Sequence, residues 1–144
     1  MARDSIHDAV KQALIHDGWT ITADPFHLKF EEFNLFADLA AERSPIAVER
    51  QGEKLLIEVK SFTGLSFVRE LQQALGQYEM YWHFMQAVLP EHRLFMAVSD
   101  LMYVRYFEQN AVQYLLQKLQ VAVIVVDLDK ETIVQWIQWQ DTEH

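Results

Sequence analysis

Lys54-Leu55-Leu56-Ile57-Glu58-Val59-Lys60-Ser61 is the stretch on which the fold turns. Side chains of an extended segment alternate with period two, so Leu55, Ile57 and Val59 face one way. Leu56, Glu58 and Lys60 face the other. A strand this apolar belongs inside a sheet, and its two charged residues project from a single face. Upstream, Gln51-Gly52-Glu53 reads as a compact turn and Ile46–Glu49 as the strand that pairs through it in a hairpin. A further strand is expected near Glu32–Leu39. Trp19-Thr20-Ile21-Thr22 is β-rich and is ended by Asp24-Pro25. Residues 5–17 read as a helix, with Ile6, Ala9, Val10, Ala13 and Leu14 on one face. Asp4 or Ser5 can cap it, Asp8 suits the dipole of its first turn, and Gly18 stands at the stop.

Downstream, Ser66 can cap a long helix over 67–88. Leu71, Leu75, Tyr78, Trp82, Met85 and Leu89 recur at alternating spacings of four and three, the apolar stripe of an amphipathic helix. Pro90 ends it. Arg93–Ser99 reads as a strand, Leu101–Leu119 as mostly helical, and Val121–Asp127 as an apolar strand buried on both faces. Ile133–Trp139 is a last strand, turned back through Asp129-Lys130-Glu131. The order α-β-β-β-α-β-α-β-β predicts an α/β fold, with a central mixed sheet flanked by the 5–17 and 67–88 helices. The chain has 144 residues with 4 Gly and 3 Pro, so no linker divides it, and residues 1–144 are expected to form a single domain.

Composition narrows the function. There are 12 Lys and Arg against 21 Asp and Glu, a net charge of −9, with no basic block anywhere. Autonomous, tight binding to duplex DNA is therefore disfavoured. Zero cysteines exclude disulfides, thiolate metal sites and a cysteine nucleophile, and fit a cytoplasmic setting. No apolar run is long enough to span a membrane, and the N-terminus has no signal-peptide pattern. The six histidines show no paired ligand spacing and are expected at the surface or at helix ends. No glycine-rich nucleotide loop or nucleophile elbow is present.

The residues that can carry chemistry are Asp38 and the Glu58-Val59-Lys60 segment. Asp38 lies 20 residues before Glu58, placed to converge on it. Two carboxylates offer hard oxygen ligands to Mg²⁺ or Mn²⁺, and a neighbouring lysine can orient a water or stabilise phosphate charge. That combination makes a phosphodiester-hydrolysing site. The competing reading is ordinary: Glu-x-Lys on an amphipathic strand is usually a solvated face with an ion pair worth under ~1 kcal/mol. On the long helix, Gln73, Gln77 and Tyr81 share a face, although for a single residue pair the favoured reading of Tyr81 is a half-buried aromatic beside Trp82.

These features resemble the PD-(D/E)XK nuclease superfamily, whose core is a helix, three strands, a helix and a strand. Its site pattern matches Asp38 and Glu58-Val59-Lys60, and a RecB-like subset has a Gln-x-x-x-Tyr element that matches Gln77 to Tyr81. Asp8, with His7 beside it, loosely matches an acidic residue on the first helix, and Glu49 is a further residue at the margin. The resemblance implies a restriction-endonuclease-like core with Asp38 and Glu58 as metal ligands and Asp38, Glu58, Lys60 and Gln77 as catalytic residues.

A closer resemblance covers nearly the whole chain. His7-Asp8-Ala9-Val10, Asp17-Gly18-Trp19-Thr20-Ile21-Thr22, Asp24-Pro25, Asp38-Leu39, Glu58-Val59-Lys60-Ser61-Phe62 and Ala74-Leu75-Gly76-Gln77-Tyr78 are similar to the XisH family. Those cyanobacterial proteins are named as controlling factors for fdxN element excision during heterocyst differentiation. The resemblance implies a role in DNA recombination beside a site-specific recombinase and an XisI-like partner protein. Two functions follow as expectations: a DNA-acting, metal-dependent endonuclease-like factor, or a non-catalytic protein-binding scaffold on the same fold. Trp82, Phe84, Trp136 and Trp139 suggest burial under another element, or an interface with a partner or a second copy of the chain.

Overall fold

The computed structural model describes residues 2–44 and 52–139, and side chains from residue 6 onward. Helix α1 (Ala2–His16) opens the chain and is followed by β1 (Thr20–Ala23), β2 (Phe26–Phe30), β3 (Phe33–Ala37), β4 (Leu39–Arg43) and β5 (Glu53–Val59). Then come α2 (Phe67–Val88), β6 (His92–Ser99), α3 (Asp100–Met102) with a π-helical turn over Tyr103–Phe107, α4 (Asn110–Lys118), β7 (Val123–Asp127) and β8 (Thr132–Ile137). Six strands form one mixed sheet in the order β1-β4-β5-β6-β7-β8, and β2 and β3 form a separate two-stranded ribbon. The strands β5, β6 and β7 run parallel at the centre, and antiparallel strands flank them. The fold is α/β, with helices on both faces of the sheet as expected.

Alternation along β5 divides the protein into two cores. Leu56, with Ala40, Leu94, Met96, Val98, Val123 and Val125, faces α2 and α4. Leu55 and Ile57, with Leu39, Ala41, Phe95, Ala97, Ile124 and Val126, face α1 through Ile6, Val10, Ala13 and Leu14. All three β5 side chains are at most 1% exposed, so a one-residue register slip would exchange the two cores. Helix α2 begins as the sequence predicts, with Ser66 accepting a hydrogen bond from the Arg69 N–H at 3.2 Å. Leu71, Leu75, Tyr78 and Met85 are buried, and Trp82 and Leu89 pack at the margin. Tyr78 pins the helix to the sheet: its hydroxyl donates to the Leu94 carbonyl at 2.9 Å and accepts from the Ala122 N–H at 3.1 Å. Gly18 has φ +95, the conformation that its place after α1 requires.

Several expectations are corrected. Helix α1 starts at Ala2, so Asp4 and Ser5 lie within its first turn and not at its cap. The segment expected as one strand near Glu32–Leu39 is broken at Asp38, where the chain leaves β3 and enters β4. It is β4 that pairs with β5, from Leu39 opposite Ile57 to Arg43 opposite Glu53. The expected Ile46–Glu49 strand, with Glu49, lies outside the described residues. The ribbon strand β2, where Phe26, Leu28 and Phe30 alternate with His27 and Lys29 directly after Pro25, is an addition to the expected strands. The Leu101–Leu119 helix is interrupted: Gln113 Nε2 donates to the Phe107 carbonyl at 2.6 Å, and Gln109 turns out of helical geometry before α4. His92 is no surface histidine but 8% exposed at the start of β6, and its burial lowers its pKa below the ordinary 6.5. No helix among the described residues is long and apolar enough to cross a membrane.

Candidate functional site

The last residues of β5 and the first turns of α2 enclose a cleft of about 260 Å³. Asp38, Lys60, Ser61, Phe62, Glu70, Gln73 and His7 line it. It lies outside the carboxyl end of a parallel strand, where ligand sites of α/β folds gather. Asp38 occupies the bend between β3 and β4, and two bonds to β5 fix it there. Its N–H donates to Glu58 Oε1 at 3.2 Å, and its Oδ2 accepts from the Val59 N–H at 2.7 Å. The expected convergence of Asp38 and Glu58 is therefore direct contact.

Glu58 is 4% exposed. The reading of Glu58-x-Lys60 as a solvated face does not hold for Glu58, because a carboxylate this buried needs specific partners. Gln77 supplies one: its Nε2 donates to Glu58 Oε2 at 3.1 Å. The other end of the same amide, Oε1, accepts from Lys60 Nζ. An ammonium only donates and a carboxylate only accepts, so one orientation of the Gln77 amide satisfies both. Gln77 thereby clamps Lys60 and Glu58 from the helix above. The Tyr81 hydroxyl, one turn further along, donates to the Phe36 carbonyl at 3.1 Å, and burial pushes its phenol pKa up. The four sequence-predicted site residues, Asp38, Glu58, Lys60 and Gln77, thus form one connected cluster.

Asp8 is exposed and does not line the cleft, whereas its neighbour His7 does. His7 Nε2 lies 2.8 Å from Asp24 Oδ1, and Lys11 Nζ lies 2.9 Å from Asp24 Oδ2. These bonds and the charges of His7 and Lys11 outweigh desolvation and hold the Asp24 carboxyl below its ordinary 3.8. Glu70 was missed by the sequence reading. It lines the cleft and accepts from the Gly64 N–H at 2.8 Å. Its signal was the spacing 70, 73, 77, which places Glu70 on the helix face of Gln73 and Gln77.

The C-terminal aromatics turn inward. Trp136 packs against Trp19 and Phe95, with ring centroids 5.9 and 5.2 Å away, and Trp139 Nε1 donates to the Val121 carbonyl at 2.7 Å. The expectation of burial under other elements accounts for both.

The family model described as XisH protein matches residues 1–134. No curated protein matches the chain. Among solved structures, an XisH family protein from Nostoc punctiforme PCC 73102 is 36% identical with a TM-score of 0.84, covering 94% of this chain and 100% of its own. An fdxN element excision controlling factor protein from Anabaena variabilis is 37% identical with a TM-score of 0.83, covering 94% of this chain and 99% of its own. A family match over nearly the whole chain and two neighbours of this similarity lead to one conclusion: the chain belongs to the XisH family.

Proposed function

We propose that the chain is a DNA-rearrangement factor of the fdxN element excision type, with a divalent-cation-dependent phosphodiester site at Asp38, Glu58 and Lys60. The fold then serves as a restriction-endonuclease-like core. The observation that carries the reading is the buried Glu58 carboxylate, bonded to the backbone of Asp38 and, through Gln77, to Lys60. A scaffold has no need to bury a carboxylate behind a cleft that Asp38 and Lys60 line.

The donor set fits Mg²⁺ or Mn²⁺, which take one or two carboxylates and keep several waters. Among the described residues no group of three or more His, Asp and Glu side chains gathers as a richer metal cage would. Asp38 and Glu58 would hold the cation. Each carboxylate oxygen has two lone-pair positions, so ligation leaves the Asp38, Val59 and Gln77 hydrogen bonds intact. When bound, the cation supplies Lewis-acid polarisation of a phosphate oxygen and a more acidic water. Lys60, held by Gln77, would orient an attacking water and offset charge developing on the phosphate. At −9 net charge the chain neutralises few phosphates alone, so its affinity for DNA should be weak and salt-sensitive, and a basic partner such as an XisI-like protein or a recombinase would strengthen it.

Calorimetric titration with Mg²⁺ and Mn²⁺, paired with nicking assays on supercoiled DNA with and without a partner, tests the reading. Wild type binds the cation, Glu58→Ala does not, and Lys60→Ala binds it without nicking. Absence of both cation binding and nicking in the wild type leaves the protein-binding scaffold as the function.

A further inference from the structure

We propose that the outer face of the β2–β3 ribbon binds an unpaired nucleic-acid strand, stacking a base on Phe36 beside the carboxylate cluster. This rests on the reading of that cluster as a phosphodiester site, and names its substrate form.

The ribbon has two unlike faces. Its cross-strand pairs are Phe26 with Ala37, His27 with Phe36, Leu28 with Leu35, Lys29 with Asn34, and Phe30 with Phe33. Alternate pairs turn inward, apart from Phe33 at the tip, which stays 45% exposed. Leu28 is 1% exposed, Phe26 and Leu35 pack on the core beneath α2, and Phe30 stacks on Phe84 with centroids 4.7 Å apart. The other two pairs, His27 with Phe36 and Lys29 with Asn34, are exposed. Phe36 is 55% exposed, and stacking on the His27 ring at 4.9 Å and 19° covers part of it. His27 is held in turn by Asn34, with Nε2 2.8 Å from Oδ1. The result is a pre-oriented aromatic platform with one ammonium, Lys29, on the same face.

Its position ties it to the site. Phe36 lies two residues before Asp38, and its carbonyl is held by Tyr81, one turn beyond Gln77. Phe36 does not itself line the cleft, so a strand with a base on Phe36 would cross to Asp38 over the roughly 7 Å that two extended residues span. Stacking on an aromatic ring works on any base, and Lys29 supplies a cation on the same face for the strand's backbone. Duplex DNA keeps its bases stacked on each other and offers none to the platform. The ribbon also cannot enter a groove by its tip, because Glu31 and Glu32 there would meet the phosphates on either side.

Fluorescence anisotropy with labelled oligo-dT and with a duplex of equal length, at low salt, with Mg²⁺ and with chelator, tests this. The strand should bind at least tenfold more tightly than the duplex. Phe36→Ala should weaken strand binding by about tenfold or more, and Phe36→Trp should preserve it. Lys29→Ala should weaken it less and lower its salt dependence by about one phosphate contact. Phe36 is exposed, so a thermal melt of Phe36→Ala should match wild type and exclude misfolding. Equal affinity for strand and duplex, or Phe36→Ala binding like wild type, overturns the proposal. So does a change of mass in light scattering with Phe36→Ala, which would make the face a contact between copies. Strand binding that depends on Phe36 without any cation binding fails only the carboxylate reading; cation binding and nicking without Phe36-dependent strand binding fails only this one.

Discussion

Strand β5 carries a glutamate near each end, and the two live in different worlds. Glu53 begins the strand at the surface, where its carboxylate lies 3.4 Å from Arg93 and 3.9 Å from Arg43. Around it Trp19, Phe95 and Trp136 wall a second cleft of about 290 Å³, with the Arg43 guanidinium 4.0 Å from the centre of the Trp19 ring. Glu58, five residues on, is buried and accepts on both oxygens from amide N–H groups of Asp38 and Gln77. Both ends have a carboxylate, a cation and a concave wall. Only at the Glu58 end is charge held by groups whose geometry the fold dictates. At the Glu53 end, long side chains meet in water, where screening and lost rotamer freedom cancel most of the attraction. Proximity of opposite charges marks neither end as functional; burial with directed hydrogen bonds is what separates them.

The sharpest way to break this contrast is cation binding. Asp38→Ala and Glu58→Ala should each abolish calorimetric Mg²⁺ binding, whereas Glu53→Ala should leave it unchanged. Loss of binding in Glu53→Ala would mean that the cation sits at the wrong end of the strand.

The helix that roofs the Glu58 end gives the next largest effect. Tyr78→Phe strips one acceptor from the Ala122 N–H and one donor from the Leu94 carbonyl, and should cost about 1–3 kcal/mol in urea unfolding. The same phenol gives the stability a defined alkaline limit. Burial pushes the Tyr78 pKa up from 10 to about 12. Its contribution is complete below pH 10 and disappears as pH rises from 10 toward 12, because there the unfolded chain releases a proton that the folded chain keeps. Thermal melts of wild type should decline through that window more steeply than those of Tyr78→Phe.

On the acid side, the lowered pKa of His92 works in the other sense. Its share of stability is present above pH 6.5 and is lost as pH falls below it, since the unfolded chain then binds the proton first. His92→Asn should flatten the acid decline of the melting temperature between pH 7 and 5. The smallest effect is expected at the surface: Glu53→Ala should change stability by less than about 1 kcal/mol, and salt should erase the difference.

Much of this was legible in the sequence, for physical reasons. The period-two pattern of residues 54–60 and the four-three pattern of the 67–88 helix follow from burial of one face, which any sequence must encode locally. The first put Glu58 and Lys60 on one face of the β5 segment, and the second put Gln77 and Tyr81 on one face of α2; that the two faces meet was implied only by the resemblance to the nuclease pattern. The break at Asp38 was not legible, because apolar residues continue on both sides of it and only the change of pairing partner divides β3 from β4. Strand β4 escaped notice for a related reason. Ala40 and Ala41 have little strand preference of their own, and their pairing with β5 decides their conformation. His7 and Asp24 were equally hidden, since the contact that joins them spans 17 residues and two elements.

The ribbon has one more consequence, for how such a protein can change over generations. Strands β1 and β4 are neighbours in the sheet, with Ile21 opposite Ala41, so the ribbon is an excursion within their connection. Asp38 stands where the excursion ends, yet its N–H and one carboxylate oxygen are anchored to β5 and not to the ribbon. Mutations can therefore lengthen the ribbon, repaint its outer face or swap its loop while the Asp38–Glu58 geometry stays where it is. The ribbon's outer face and the carboxylate cluster are separately heritable modules, and the first can drift without endangering the second.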